Sequence, residues 1–182
     1  MTRPVVAIGS FDGVHRGHCQ ILRYLREVAA ASGGQSVVVT FDPHPQMLLN
    51  PQSDFFTLNS IERNLDLIAG QGVDVAVVIP FTKELSQLSY LDFIEKYIIG
   101  ILNAHALVMG PNHVIGHNRE GNRQKIRGLC LQHRVEVADI PEFMVDNAKV
   151  HSSVIRQLIR DGRFDRADEL LGYHWEPGRN EE

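Results

Sequence analysis

Cysteine is scarce in this chain: Cys19 and Cys130 are the only two among 182 residues, far apart and without a C-x-x-C spacing. That excludes a disulfide framework and a cysteine zinc site, and it fits free thiols in a reducing cytosol. Long apolar runs are missing too. No stretch reaches the ~18 uninterrupted apolar residues of a membrane helix. Met1-Thr2-Arg3-Pro4 leads straight into a β-branched run, with no signal-peptide apolar region. A soluble, cytoplasmic protein without a membrane partner is expected. Surplus positive charge is also absent, since 18 Lys and Arg face 22 Asp and Glu for a formal net charge of −4. This argues against a nucleic-acid partner and leaves a small anionic ligand compatible. There is no internal repeat or low-complexity tract, and 43% apolar content is enough for a sizeable core.

What is present is an alternation. Short apolar runs with strand character lie at residues 5–8, 36–41, 73–79, 106–109 and 135–140. Stretches with helical spacing fall at 17–31, 60–69, 90–102 and 124–133, followed by two more at 152–159 and 164–171. In the first of these, Ile21, Leu22, Leu25 and Val28 share one face, as a helix lying on a sheet requires. Strands buried on both faces and right-handed crossovers predict a doubly wound, Rossmann-like α/β fold with a five-stranded parallel sheet and helices on both sides. One domain over residues 1–175 is expected, with a loose tail at 176–182.

Ligands in such sheets bind beyond the carboxyl ends of the strands, and the unusual residues lie there. The first strand breaks at Gly9-Ser10-Phe11-Asp12-Gly13 and leads through Val14 into His15-Arg16-Gly17-His18. A glycine-rich turn opening a helix collects unpaired backbone N–H groups at one spot, which suits a phosphate. His15 and His18, three apart, share a helix face and are expected to point toward that spot, with Gly17 leaving room for a ligand. Two histidines supply only half of a tetrahedral zinc shell, and no Cys or carboxylate completes it.

Gly-x-Phe-Asp-Gly-x-His-x-Gly-His resembles the signature of the HxGH nucleotidyltransferase superfamily, and in this setting the FMN adenylyltransferase (FAD synthetase) module of bacterial bifunctional riboflavin kinase/FAD synthetases. Further segments agree in order: Thr40-Phe41-Asp42-Pro43-His44-Pro45, Gly110-Pro111-Asn112 with Gly116 and Arg119-Glu120-Gly121-Asn122, Ser152-Ser153-Val154-Ile155-Arg156, and Ala167 with Leu170-Leu171-Gly172. The resemblance runs from Val5 to Tyr173. It implies attack by the phosphate of FMN on the α-phosphorus of ATP with magnesium (Mg2+), giving FAD and pyrophosphate. A phosphate monoester, with a second pKa of about 6, needs no base to become a nucleophile.

The resemblance further implies that His15 and His18 contact the ATP phosphates, with His18 stabilising the transition state. It assigns Gly9, Ser10, Phe11, Asp12 and Gly13 to the adenine and ribose side of the ATP pocket, and Ser152, Ser153 and Arg156 to the β- and γ-phosphates. His15, His18, Ser153 and Arg156 are its catalytic set. Asp42, His44 and Pro45 are expected beside the flavin phosphate, joined by Asn112 and Arg119 on the FMN side. Asn112 is also its candidate magnesium contact, through water. Read without the resemblance, Asp-Pro-His-Pro is a stiff turn, Asn112 a turn residue and Ser152 a helix cap.

Two departures from the family pattern stand out. His151 replaces the first hydroxyl of a Ser-Ser-Thr run, and the 112–116 loop lacks two aromatics that pack flavin. Two other readings therefore stand beside FAD synthesis: adenylyl or cytidylyl transfer to another phosphorylated small molecule, and a non-catalytic flavin or nucleotide binder. No riboflavin kinase module is expected after Tyr173, so the chain reads as either a free-standing adenylyltransferase or an excised module, with a separate riboflavin kinase as a candidate supplier of FMN.

The remaining candidates read as ordinary. His105, His133 and His174 lack partners at useful spacing. Trp175 is read as a cap on the core or a contact to a neighbour, Phe55-Phe56 as loop packing, and Asp165, Arg166, Asp168 and Glu169 as a solvated helix face.

Overall fold

A computed structural model describes residues 1–110, 114–140, 144–145 and 148–176. In chain order the elements are β1 (Val5–Ile8), α1 (Arg16–Ala31), β2 (Ser36–Asp42), α2 (Pro45–Leu49), α3 (Ile61–Gly70), β3 (Val75–Pro80), α4 (Lys83–Ser86) and α5 (Tyr90–Phe93). A π-helix (Ile94–Ile101) continues α5, and then come β4 (Ala106–Met109), a 3₁₀ turn (His117–Arg119), α6 (Arg123–Gln132) and β5 (Glu136–Asp139). The antiparallel pair β6 (Met144–Val145) and β7 (Ala148–Lys149) precedes α7 (Ser152–Arg160) and α8 (Phe164–Leu171).

The five long strands form one all-parallel sheet in the order β3-β2-β1-β4-β5. The chain winds outward from β1 to β3 and then restarts at β4 on the other side of β1, so the topological switch lies between β1 and β4. This is the doubly wound α/β fold expected from the alternation of runs. Alternate residues of each inner strand feed opposite faces. Val6, Ile8, Val37, Val39, Leu107 and Met109 pack under Phe93, Ile94, Ile98 and Ile126. Val5, Ala7, Val38, Ala106 and Val108 pack under Leu22 and Leu25 of α1. A third cluster joins Leu58 to Ile155, Ile159, Leu170, Leu171 and Trp175, and so fastens α7 and α8 to the loop after α2.

Several elements differ from the sequence expectation for local reasons. β3 begins at Val75 rather than 73, because Asp74 is occupied in a reciprocal clasp: its carboxylate accepts from Ser36 N (2.8 Å) and Oγ (2.6 Å), and its N–H donates to Ser36 Oγ (3.0 Å). The expected helix at 90–102 loosens into π geometry, with Leu102 N–H donating to Tyr97 O five residues back at 3.0 Å. Gly100 fits that wider turn, since a Cβ there would lie 3.0 Å from Glu95 O. The short helices α2 and α4 and the β6–β7 pair are additional.

The three histidines read as partnerless have partners. His105 Nε2 accepts from Arg3 (2.8 Å), His133 meets Glu95 (3.3 Å) and His174 meets Asp168 (2.6 Å). Asp168 is more than a solvated side chain, because its other oxygen accepts from Trp175 N–H at 2.9 Å. Trp175 caps the core, its indole N–H donating to Leu58 O at 2.9 Å. Among the described residues, no helix is long and apolar enough to cross a membrane.

Candidate active site

The β1–α1 loop is built on strain that its surroundings hold in place. Phe11 (φ 45°), Gly13 (φ 79°) and Val14 (φ 36°) all have positive φ, and for a β-branched residue such as Val14 this is a genuine outlier. Conformations of this kind persist only where neighbouring groups over-determine them. Here each carbonyl in turn is claimed: Ser10 O by Thr40 Oγ1 (3.1 Å), Phe11 O by Val14 N–H (3.1 Å), Asp12 O by Ser152 Oγ (3.0 Å), Gly13 O by the Tyr173 hydroxyl (2.7 Å) and Val14 O by Cys19 Sγ (3.4 Å). A side chain at Gly13 would collide with Leu58 Cδ1 at 2.7 Å.

Asp12 is 1% exposed. Its carboxylate accepts from Leu58 N–H (2.9 Å), Asn59 N–H (3.4 Å) and Arg156 Nη2 (2.6 Å). Arg156 also donates through Nε to Phe56 O at 2.8 Å and lies over the Phe55 ring at 4.3 Å. Both side chains therefore serve first as a buried bracket between the loop and α7. Phe11 is turned into the core below α1. The side chains of Phe11 and Asp12 face inward, and residues 11–15 of the loop are all buried.

His15 and His18 do converge, as parallel rings stacked 3.7 Å apart with an 11° interplanar angle. His15 is the N-cap of α1, and its Nδ1 accepts from His18 N–H at 3.2 Å. The space left by Gly17 is filled by the chain itself, because a Cβ there would lie 3.1 Å from the His15 ring and 3.4 Å from Val150 O. Burial, then His151 at the N-cap of α7, lowers His15 to about pKa 4. Burial followed by the neighbouring His15 and His151 holds His18 well below 6.5.

His44 repeats the device after β2. It is the N-cap of α2, its Nδ1 accepts from Gln46 N–H at 3.1 Å, and Pro45 occupies the first helical turn. Burial lowers this ring to about 4, against a raising effect of Asp12. A nitrogen that accepts a backbone N–H carries the lone pair, so in His15 and His44 the single proton sits on Nε2. Nδ1 of His18 is buried with no partner among the described residues, which favours Nε2 there as well. All three rings are thus neutral N–H donors.

An NMR titration should find His15 and His44 as Nε2–H tautomers that gain a second proton only near pH 4; titration near 6.5 or a proton on Nδ1 would contradict the assignment. Unfolded histidine protonates near 6.5 and native His15 only near 4. Stability is therefore lost as pH falls across that window, by on the order of 3 kcal/mol for His15.

Two hollows with shared walls lie beyond the strand ends. The larger, about 550 Å³, is walled by Phe41, Phe81 and Phe93 and by residues 114–119. Phe41 meets Phe81 edge-on at 5.7 Å and Phe93 tilted at 6.1 Å, leaving an apolar slot suited to a planar ring system. The second, about 450 Å³, is a polar groove bounded by Phe55, Ser152, Ser153, Arg156 and Arg160. Ser10, His44 and Gln46 line both, which makes them the junction.

Gly9, Pro45 and Arg119 line the apolar hollow, while Asp42 stands exposed at the end of β2, its carbonyl accepting from Phe81 N–H at 2.9 Å. Ser152 is the first residue of α7 rather than its cap. Asn112 lies outside the described residues. Reasoning from sequence missed the aromatic slot, although Phe41 and Phe81 both sit at strand ends, and it missed Gln46. Among the described residues, no three His, Cys, Asp or Glu side chains come together to hold a metal ion.

A model of the FAD synthetase family matches residues 1–154. Curated relatives include a protein named bifunctional riboflavin kinase/FMN adenylyltransferase from Listeria monocytogenes, 33% identical over 93% of this chain and 54% of its own length. One of the same name from Pseudomonas fluorescens is 34% identical over 92% of this chain and 54% of its own length. The chain spans about half the length of these relatives. A solved structure described as a macrolide-efflux protein from Streptococcus pneumoniae superposes with a TM-score of 0.83 at 26% identity, over 94% of this chain and 56% of that one. With the motifs of the first loop, the second strand end and the start of α7 all inside or bordering the matched span, the chain belongs to the FAD synthetase family.

Proposed function

We propose that this chain transfers the adenylyl group of ATP to the phosphate of FMN, releasing pyrophosphate and forming FAD. The observation that carries the proposal is the junction: a slot walled by Phe41, Phe81 and Phe93 shares Ser10, His44 and Gln46 with a groove at the start of α7. In this reading the isoalloxazine rests among Phe41, Phe81 and Phe93, with Arg119 at the rim. Its phosphate emerges at the Nε2–H of His44. The ATP phosphates lie along Ser152, Ser153 and the N–H groups of Arg156 not used by Asp12 and Phe56; His15 and His18, at the start of α1, line neither hollow and are assigned to the phosphates by the family motif. The names of the relatives pair this transfer with a riboflavin kinase, the reaction that supplies FMN.

An oxygen of the FMN phosphate attacks the α-phosphorus in line, and the bond from that phosphorus to the bridging oxygen breaks, leaving both electrons on pyrophosphate. No proton has to be removed from the nucleophile. The work of the protein is to hold two anions together and to donate hydrogen bonds where charge grows. Neutral imidazoles fit that task, since their donors are present without a proton to be gained or lost across the working pH range. The buried carboxylate of Asp12 is committed to Arg156 and two backbone amides. Among the described residues no three metal-ligating side chains come together, so magnesium would enter with the substrate as MgATP.

Incubation with ATP, FMN and Mg2+ should yield FAD and pyrophosphate in equal amounts. Folded protein that binds ATP yet makes no FAD would defeat the proposal. Pyrophosphate released with another phosphorylated acceptor would redirect it, and ligand-induced thermal stabilisation without product would mark a binding relative.

A further inference from the structure

Gly13 is held at both of its backbone groups by side chains far away in sequence. Its N–H donates to Asn64 Oδ1 (3.1 Å) and its carbonyl accepts from the Tyr173 hydroxyl (2.7 Å). One amide links the two clamps: Asn59 Nδ2 donates to Asn64 Oδ1 (3.2 Å) and to the Tyr173 oxygen (2.7 Å). The four groups close a ring in which the tyrosine hydroxyl accepts once and donates once. Asn59 and Asn64 are 8% and 5% exposed, so an opened ring would leave buried polar groups without partners.

The position of the ring gives it a role. Gly13 sits between the two strained residues Phe11 and Val14, and Val14 hands the chain directly to His15, the cap of α1 and one half of the stacked pair. Asp12 is anchored separately by Ser152 and Arg156. Val14 O is held from within α1, by Cys19 Sγ, so the Tyr173 ring is the nearest tether to His15 that comes from a distant part of the chain. Tyr173 lies beyond the residues that the family model matches, in the segment after α8 where Gly172 (φ 85°) reverses the chain.

We propose that Tyr173 is a positioning residue for adenylyl transfer, acting through Gly13 to hold the β1–α1 loop in the conformation that places His15 and His18. The claim that it matters for transfer rests on the FAD-forming reading above; the claim that it sets the loop does not. Tyr173 touches neither hollow, so its removal acts on the transition state through geometry and leaves ground-state binding nearly intact.

The test compares Tyr173→Phe with Ile159→Val, a change in the same α7–α8 cluster that removes none of the hydrogen bonds of the ring. Tyr173→Phe should lower kcat for FAD formation by about tenfold or more, with the KM for ATP changed less than about threefold. It should also speed hydrogen exchange of the Gly13 amide and shift the His15 and His18 ring resonances. Ile159→Val should do none of these. Asn59→Ser opens the same ring from the other side, and the double variant should be no slower than the worse single one. An unchanged Gly13 amide and unchanged imidazole signals in Tyr173→Phe would overturn the inference whether or not FAD is made. A loss of kcat shared by Ile159→Val would overturn it as well, reducing Tyr173 to a packing residue. Failure of the parent chain to make FAD would instead count against the reading of the reaction, with the exchange and resonance data still deciding the role of Tyr173 in the loop.

Discussion

Replacing His18 by alanine should cut kcat for FAD formation by about a hundred- to a thousand-fold, the usual cost of losing one preorganised donor to developing charge. ATP binding should change by no more than a few-fold. His18 stacks on His15 and its Nδ1 is buried without a partner among the described residues, which leaves Nε2 as its donor. Such a donor gains most when charge appears on the phosphoryl oxygens, which is the signature of a group acting mainly in the transition state. Steady-state kinetics together with calorimetric titration of ATP would measure both. Equal losses in kcat and in affinity would reduce His18 to an ordinary binding residue. His18→Asn, which keeps an N–H donor of shorter reach, should lie between the parent and the alanine variant.

Asp12→Ala should have the largest effect on stability, a loss of about 3–5 kcal/mol, because it strands a nearly buried guanidinium and two backbone amides at once. For a chain of this length that corresponds to a fall in Tm of roughly 10 °C. Thermal unfolding followed by circular dichroism would show it. Arg156→Met should cost a similar amount by stranding the carboxylate, and the double variant should be less damaging than the two single losses added together, since the partners are in contact at 2.6 Å. Independent, additive losses would mean that the pair is not the bracket described.

The architecture was legible because β-branched runs and amphipathic stretches report burial directly. Val5 to Ile8 and residues 36–41 could hardly be anything but inner strands, and Leu22 and Leu25 mark the buried stripe of α1. The short helices were not legible by periodicity, since five residues hold barely one turn; the signal that could have found α2 is Pro45 following a possible cap. Histidine is an unusual cap, and its use at residues 15 and 44 became clear only from the Nδ1 contacts.

Which residues cluster was read well for His15 with His18 and for Ser152, Ser153 and Arg156, because spacing on one helix fixes proximity. It was read poorly wherever the contact spans the chain. Nothing local to Asp12 announces Arg156, and nothing local to Gly13 announces Tyr173 or Asn64. Asp12 in a motif beside a ligand suggests an outward role, yet the turn that Gly13 permits swings its carboxylate inward to Leu58 and Asn59. The aromatic slot escaped for the same reason: Phe41, Phe81 and Phe93 come from three separate segments and meet only after the sheet is wound.

The far reach of the loop's tethers has a consequence for biosynthesis. Asp12 and Gly13 wait for Ser152, Arg156 and Tyr173, which follow at separations of 140, 144 and 160 residues. At a translation rate of about 5–20 residues per second that delay is on the order of ten seconds. During it a nascent chain can pair all five parallel strands while its first loop is still unanchored. Anchoring of the first loop thus waits for α7, α8 and the segment just after them, and a chain arrested after β5 would hold the sheet without the tethers of its first loop.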